Sequence, residues 1–259
     1  MRSLRFGAVA LLLAARLLCA EETPSLDKLV EQLSARENAV RREAATQIAK
    51  LGTGAKPALP ALIKALSDSD KQVWSIAIGA IASLGPDAAE AVPTLLETID
   101  SRKNRGGRDR DRRQLLMRSA YALTRIGAAA KPPLLEALKS EDSMARAGAA
   151  RALGGMGATA KEAIPGLVEN LRRDQPDERR ETIDALGLIG AEAAPALGGA
   201  LGSDQAPVRA GAALALAQLG LEAKSVAAKV ADTATRETDP TVRAALLAAV
   251  PKVGVEPAR

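Results

Sequence analysis

"DKQVWSIAIGAIASLGPDAAEAVPTLLETI", residues 70–99, contains one full period of the fold. Ile81 and Leu84 are three apart, on one helical face, and Gly85 follows them as a helix stop. Farther on, Pro93 opens a second apolar pattern, "PTLLETI". Proline suits the first turn of a helix because the N–H it lacks has no helical partner there. Asp70, ahead of the first pattern, is placed to accept the orphan N–H groups of that helix.

The same period runs along the chain. Apolar-Gly pairs recur at Leu51-Gly52, Leu84-Gly85, Ile126-Gly127, Met156-Gly157, Ile189-Gly190, Leu219-Gly220 and Val253-Gly254, with glycines 33, 42, 30, 33, 30 and 34 residues apart. Four residues before each glycine stands another aliphatic: Ile48, Ile81, Leu123, Leu153, Leu186, Leu216 and Val250. The proline pattern returns at Pro60, Pro132 and Pro165, and at Pro195 with Gly198 in its fourth place. Each unit therefore reads as helix, short turn, helix. With a first copy from about Ser25 and a degraded last copy after Ala227, there are seven units. Composition agrees. The 47 % hydrophobic content is nearly all Ala, Leu, Ile and Val, and Phe6, Trp74 and Tyr121 are the only aromatics, which disfavours strands and favours helices.

Two further residues keep the register. An acid stands 15 or 16 positions before the glycine in six units, as Glu37, Asp70, Asp142, Asp174, Asp204 and Asp239. Arginine stands 11 before it in five, as Arg41, Arg146, Arg179, Arg209 and Arg243. The acids read as caps of the second helices, and the arginines as a ladder reaching the acid of their own or the neighbouring unit. Trp74 and Leu116 take the ladder position in the second and third units.

Units such as residues 70–99 and "EDSMARAGAARALGGMGATAKEAIPGLVENL", residues 141–171, resemble HEAT repeats, in the short form first recognised in phycobilin lyases, over nearly all of residues 25–254. The resemblance implies an all-α solenoid of armadillo/HEAT type, a right-handed superhelix with the second helices on its concave side. The matching residues build the stack rather than a site, so no site residue is carried over. A scaffold for protein partners is the expected function, and the resemblance implies a lyase-like chromophore or modification enzyme as the alternative. Seven stacked pairs make an arc of roughly 65 Å, from helix spacings of about 8–10 Å.

Residues 1–20 open with Arg2 and Arg5, run through an apolar segment and end at Ala20 before "EETPS". They read as a secretory signal peptide, which places the mature chain, 21–259, outside the cytoplasm. Cleavage removes Cys19, the sole cysteine, and three arginines, taking the formal net charge from +5 to +2. No membrane span is expected in the mature chain, and a monomer is.

The chain has no His, and no Cys once the leader is gone. Ser-His-Asp triads, Cys-His pairs and ordinary zinc or non-haem iron sites are thereby disfavoured, and no cofactor or metal is expected. Enzymes built from such repeats, such as deoxyhypusine hydroxylase, hold iron through His-Glu motifs that are missing here. Binding is the better expectation.

Positions 10, 6 and 3 before each glycine point away from the core on the second helices. In the third and fourth units they include Met117, Tyr121 and Arg151; elsewhere they are mostly small, as at Gly79, Ala147, Gly154 and Ala210. The longest period contains "DSRKNRGGRDRDRR", residues 100–113, read as an insertion into a turn. It carries Arg102, Lys103, Arg105, Arg108, Arg110, Arg112 and Arg113. Three readings stay open for it: a solvated loop, contact with an acidic protein or polymer, or polyanion binding. Specific nucleic-acid recognition is not expected, since the run has no aromatic for base stacking. Trp74 either packs between units or joins Arg118, Tyr121, Arg151 and the basic run in a partner-binding patch.

Overall fold

The computed structural model describes residues 24–100 and 109–254. The leader at 1–20 lies outside them. Fourteen α-helices and no strand occur among the described residues, in seven antiparallel pairs. The pairs are α1 (Leu26–Gln32) with α2 (Asn38–Lys50), α3 (Leu59–Ala65) with α4 (Lys71–Leu84), α5 (Val92–Ile99) with α6 (Asp109–Ile126), and α7 (Lys131–Ala137) with α8 (Ser143–Gly155). The last three are α9 (Ile164–Asn170) with α10 (Pro176–Ile189), α11 (Ala194–Ala200) with α12 (Ala206–Leu219), and α13 (Ala227–Arg236) with α14 (Pro240–Ala249). Even-numbered helices stack side by side along the array, as the all-α solenoid reading requires.

The sequence rules pick out the joints. Gly52, Gly85, Gly127, Gly157, Gly190, Gly220 and Gly254 are the only described residues with positive φ, between 55° and 90°. Each turns the chain out of a second helix, a backbone state that costs a residue with a Cβ far more. Between that turn and the next proline-started helix, most units insert a short 3₁₀ segment, such as Gly85–Ala91, that the sequence did not announce. The two apolar patterns meet in the core. Ile48, Ile81, Leu123, Leu153, Leu186 and Leu216 on the second helices are fully buried, as are Leu62, Leu95, Leu134, Leu167 and Leu197 on the first. Each such side chain contributes roughly 1.5–3 kcal/mol of transfer free energy. Val250, in the degraded last copy, is only half-buried.

Two expectations need correction. The loop read over 100–113 is shorter, because α6 begins at Asp109 and takes "DRDRR" into its first turns. Arginine is a strong helix former, and Asp111 in the first turn complements the positive end of the helix dipole. Capping is also narrower than the sequence suggested. Asp70, Asp142 and Asp239 each accept a backbone N–H of their helix, at 2.8, 2.8 and 2.9 Å. Glu37 occupies the cap position without such a bond. Asp174 and Asp204 stand one residue too early, since Gln175 and Gln205 are the caps and Pro176 and Pro207 occupy the first turns.

The arginine ladder exists and runs to the next unit. Arg41 grips Asp68 through Nε and Nη2, at 2.7 and 2.8 Å. Arg146 grips Glu178 with both contacts at 2.6 Å, and Arg209 grips Glu237 at 2.7 and 3.0 Å. In each case Nη1 also donates to a carbonyl six residues back. These fork-to-carboxylate pairs are the geometrically specific kind. The acids these three reach are not among the six expected from register; of those six, Asp174 is met by the ladder arginine of its own unit, Arg179, at 3.6 Å. Asp70 is taken instead by Arg42, while Asp68 and Glu237 sit two residues ahead of their caps and accept the cap's backbone N–H as well. Trp74, in ladder register, is half-buried against the core, and Leu116 is buried.

One rung is incomplete. Arg179 donates to the Arg173 carbonyl, but its Nε is buried without a hydrogen-bond partner. The residue two ahead of the next cap is Ser203, whose Oγ accepts the Gln205 N–H and carries no charge. Ser203→Glu restores the rung and is expected to raise stability to urea by about 1 kcal/mol. The same change at Ser140, whose ladder neighbour is Leu116, gains nothing; equal effects at both sites would contradict the pairing.

The ladder also sets an acid limit. Hydrogen bonds from Arg42 hold the Asp70 carboxyl down to about 2, and those from Arg209 hold Glu237 at about 2. Both lie below their unfolded values of about 3.9 and 4.3. Their contribution is complete above the unfolded values and is lost as pH falls through the folded ones. The urea midpoint should therefore drop between about pH 5 and about pH 2, and Arg209→Gln should flatten that drop.

Candidate functional site

The second helices differ in length and charge, and the differences gather in the middle of the array. α6 has 18 residues against 13 or 14 in α2, α4, α8, α10 and α12. Arg113, at the register position where α4 begins and just after the additional residues of α6, reaches past α8 to α10, where it pairs with Asp177 at 2.5 Å, two units on. Ser143, Met144 and Ala147 of the intervening helix lie beneath that bridge. The groove there, of about 600 Å³, is also lined by Arg112, Leu116 and Met117.

Two more grooves continue from it across the even-numbered helices. One, of about 620 Å³, lies between α4 and α6 and is lined by Ile78, Gly79, Arg113, Gln114, Met117, Arg118 and Tyr121. The other, of about 630 Å³, runs from Met117, Tyr121 and Thr124 past Arg151 and Gly155 to α10 and Gln218. Met117 and Tyr121, one turn apart on α6, line both of these grooves, and Met117 also lines the first. Tyr121 is 61 % exposed and Leu188 62 %, large apolar surfaces left open to solvent.

Small residues let the helices approach beneath this surface. A Cβ on Gly154 would lie 2.6 Å from the Ala185 Cα, and one on Gly155 would lie 2.7 Å from the Thr124 Oγ1. Thr124 Oγ1 in turn donates to the Ala152 carbonyl at 3.0 Å, tying α6 to α8. The groove that crosses α8 thus lies over closely packed helices.

The lining divides by charge. α4 and α8 carry no acid, and α6 has only Asp109 and Asp111 at its start. α10 carries Asp177, Glu178, Glu181 and Asp184. These are answered locally: Arg151 Nη1 donates to Glu181 at 2.9 Å, and Gln218 donates to Asp184 at 2.8 Å. Arg118 and Arg125 are exposed and have no ion-pair partner among the described residues. Carboxylates held by arginine or amide donors suit recognition better than proton transfer. No group of three residues placed to hold a metal ion occurs among the described residues, and none of their helices is long and apolar enough to cross a membrane.

Of the residues singled out from sequence, Arg112, Arg113, Arg118, Tyr121 and Arg151 come together here. Trp74 does not line the grooves and sits half-buried against the core. Arg102, Lys103, Arg105 and Arg108 lie outside the described residues, and Arg110 is placed only as helix backbone. The stripe Asp177, Glu181, Asp184 and Leu188 escaped the sequence reading. Its spacing of four, three and four is a helical face, which was the available signal.

A family model described as HEAT repeats matches residues 26–110, 108–187 and 164–250. No curated protein matches. Among solved structures, importin β is 14 % identical with a TM-score of 0.54, over 88 % of this chain and 36 % of that one. A structure of Kap95p with RanGDP gives 14 % and 0.53, over 88 % and 35 %. An engineered protein is 24 % identical with a TM-score of 0.35, over 89 % of this chain and 99 % of its own. At these identities the likeness concerns the fold alone.

Proposed function

The chain belongs to the HEAT-repeat family, and we propose that it acts as a protein-interaction scaffold whose second-helix face holds a segment of a protein partner. The observation that carries this reading is the series of connected grooves sharing Met117 on the central helix α6. An open furrow with exposed Tyr121 and Leu188 over closely packed helices suits an extended chain segment better than an enclosed metabolite. Tyrosine and arginine are also the types that dominate binding energy at protein interfaces. In this reading Arg112, Arg113, Arg118, Tyr121 and Arg151 make the contact surface, with the basic residues from Arg102 to Arg110 as its extension. Among fold neighbours, Kap95p binds RanGDP, which is the same broad class of task.

Within the family, the short period favours the phycobilin-lyase-like branch of repeats. That likeness concerns the repeat unit, and the scaffold role is preferred to a chromophore or modification activity. The proposal further places the monomeric mature chain outside the cytoplasm, through the leader at 1–20. N-terminal sequencing of the protein from its native source should then begin at Glu21; a retained leader would contradict export.

A photo-crosslinking amino acid substituted at Tyr121 or at Leu188 should capture the same protein from native extract. Placed at Glu136 on α7 or Lys229 on α13, both exposed on first helices, it should capture none. Capture from the first helices alone would overturn the assignment of the binding face.

A further inference from the structure

Six glycines lie inside the second helices, and five have a packing reason to be there. A Cβ on Gly148, Gly154, Gly155, Gly187 or Gly211 would come within 2.4 to 2.9 Å of a neighbouring residue. Gly79 is the exception, because a Cβ there would meet nothing within 4 Å. Its φ is not positive either, so the backbone does not require glycine. A glycine in a helix interior is otherwise disfavoured, since it loses more conformational freedom on folding than any other residue. What its missing side chain provides is the open wall of the groove between α4 and α6.

The other walls define the occupant. Met117 and Tyr121 offer an apolar surface, and Arg118 stands on the rim with no ion-pair partner among the described residues. Arg125, two turns farther along α6, is likewise exposed and unpaired among the described residues. Neither α4 nor α8, the helices on either side, supplies an acid. Arg113 is already held by Asp177 and Arg151 by Glu181, so the uncommitted positive charge is that of Arg118 and Arg125.

Resting on the scaffold reading above, we propose that this groove receives an acidic segment of the partner protein, with an apolar side chain against Gly79, Met117 and Tyr121 and carboxylates at Arg118 and Arg125. Charge complementarity of this kind sets specificity and association rate. A protein segment fits better than nucleic acid, because Tyr121 is the only aromatic lining the groove and offers a single stacking surface.

The test uses the full chain and a fluorescein-labelled peptide of glutamates interrupted by single leucines, with versions carrying glutamine or lysine in place of glutamate and a labelled single-stranded oligonucleotide. The glutamate peptide should bind, and weaken as salt rises. Gly79→Leu should fill the groove and lower affinity at least tenfold while melting at the same or a higher temperature. Arg118→Gln with Arg125→Gln should lower affinity by a similar factor and reduce the salt dependence. No binding of the glutamate peptide at about 1 mM protein, the millimolar limit of weak association, overturns the proposal. So does unchanged affinity in Gly79→Leu, or preference for the oligonucleotide. If the glutamine or lysine peptide binds as well and Gly79→Leu blocks it, the scaffold reading stands and the acidic specificity falls. The scaffold reading itself is decided by the crosslinks from Tyr121 and Leu188, which depend on no probe peptide.

Discussion

Each second helix is followed by a glycine with positive φ, and that one backbone state makes the array possible. It reverses the chain four residues after an aliphatic of the second helix, so that at each inner joint the following first helix, started by a proline in all but the last unit, returns against the core. A residue with a Cβ there would meet a steric penalty at every joint. Because the turn is fixed, the register of every other position follows: core leucines on both helices, the ladder arginine, and the ridge that faces outward. Seven weakly amphipathic pairs, none able to bury its apolar side alone, then share one continuous core.

Repetition leaves its mark most clearly where it fails. The bidentate rungs at Arg41, Arg146 and Arg209 bind the first unit to the second, the fourth to the fifth and the sixth to the seventh, whereas Trp74 and Leu116 take the ladder position in the second and third units. There the side chains in ladder register are apolar, and the longer helix α6 carries Arg113, which bridges to α10. The small residues that allow α8 and α10 to touch also leave no side chains to fill the furrow above them.

The fold was legible in the sequence because its signals are local and repeated. The helix stops, the proline starts and the buried aliphatics need only spacing. Side-chain partners were harder. The ladder was seen as a register, yet Asp68 and Glu237 were missed because they belong to turns whose shape the sequence does not state. "RDRDRR" looked like loop because its charge alternates, although an aspartate in the first helical turn and several arginines are favourable helix material. Of the site, Met117, Tyr121 and Arg151 could be placed from periodicity alone, while Arg118 entered only as a member of the expected patch and the acidic stripe on α10 needed neighbouring units to give it meaning.

The central claim is that the even-numbered helices present the working surface. Hydrogen–deuterium exchange on the full chain, alone and with the protein captured through Tyr121, tests it most directly. Protection on binding should fall on α4, α6, α8 and α10 and leave α5, α7 and α9 unchanged. Protection concentrated on those first helices would contradict the assignment.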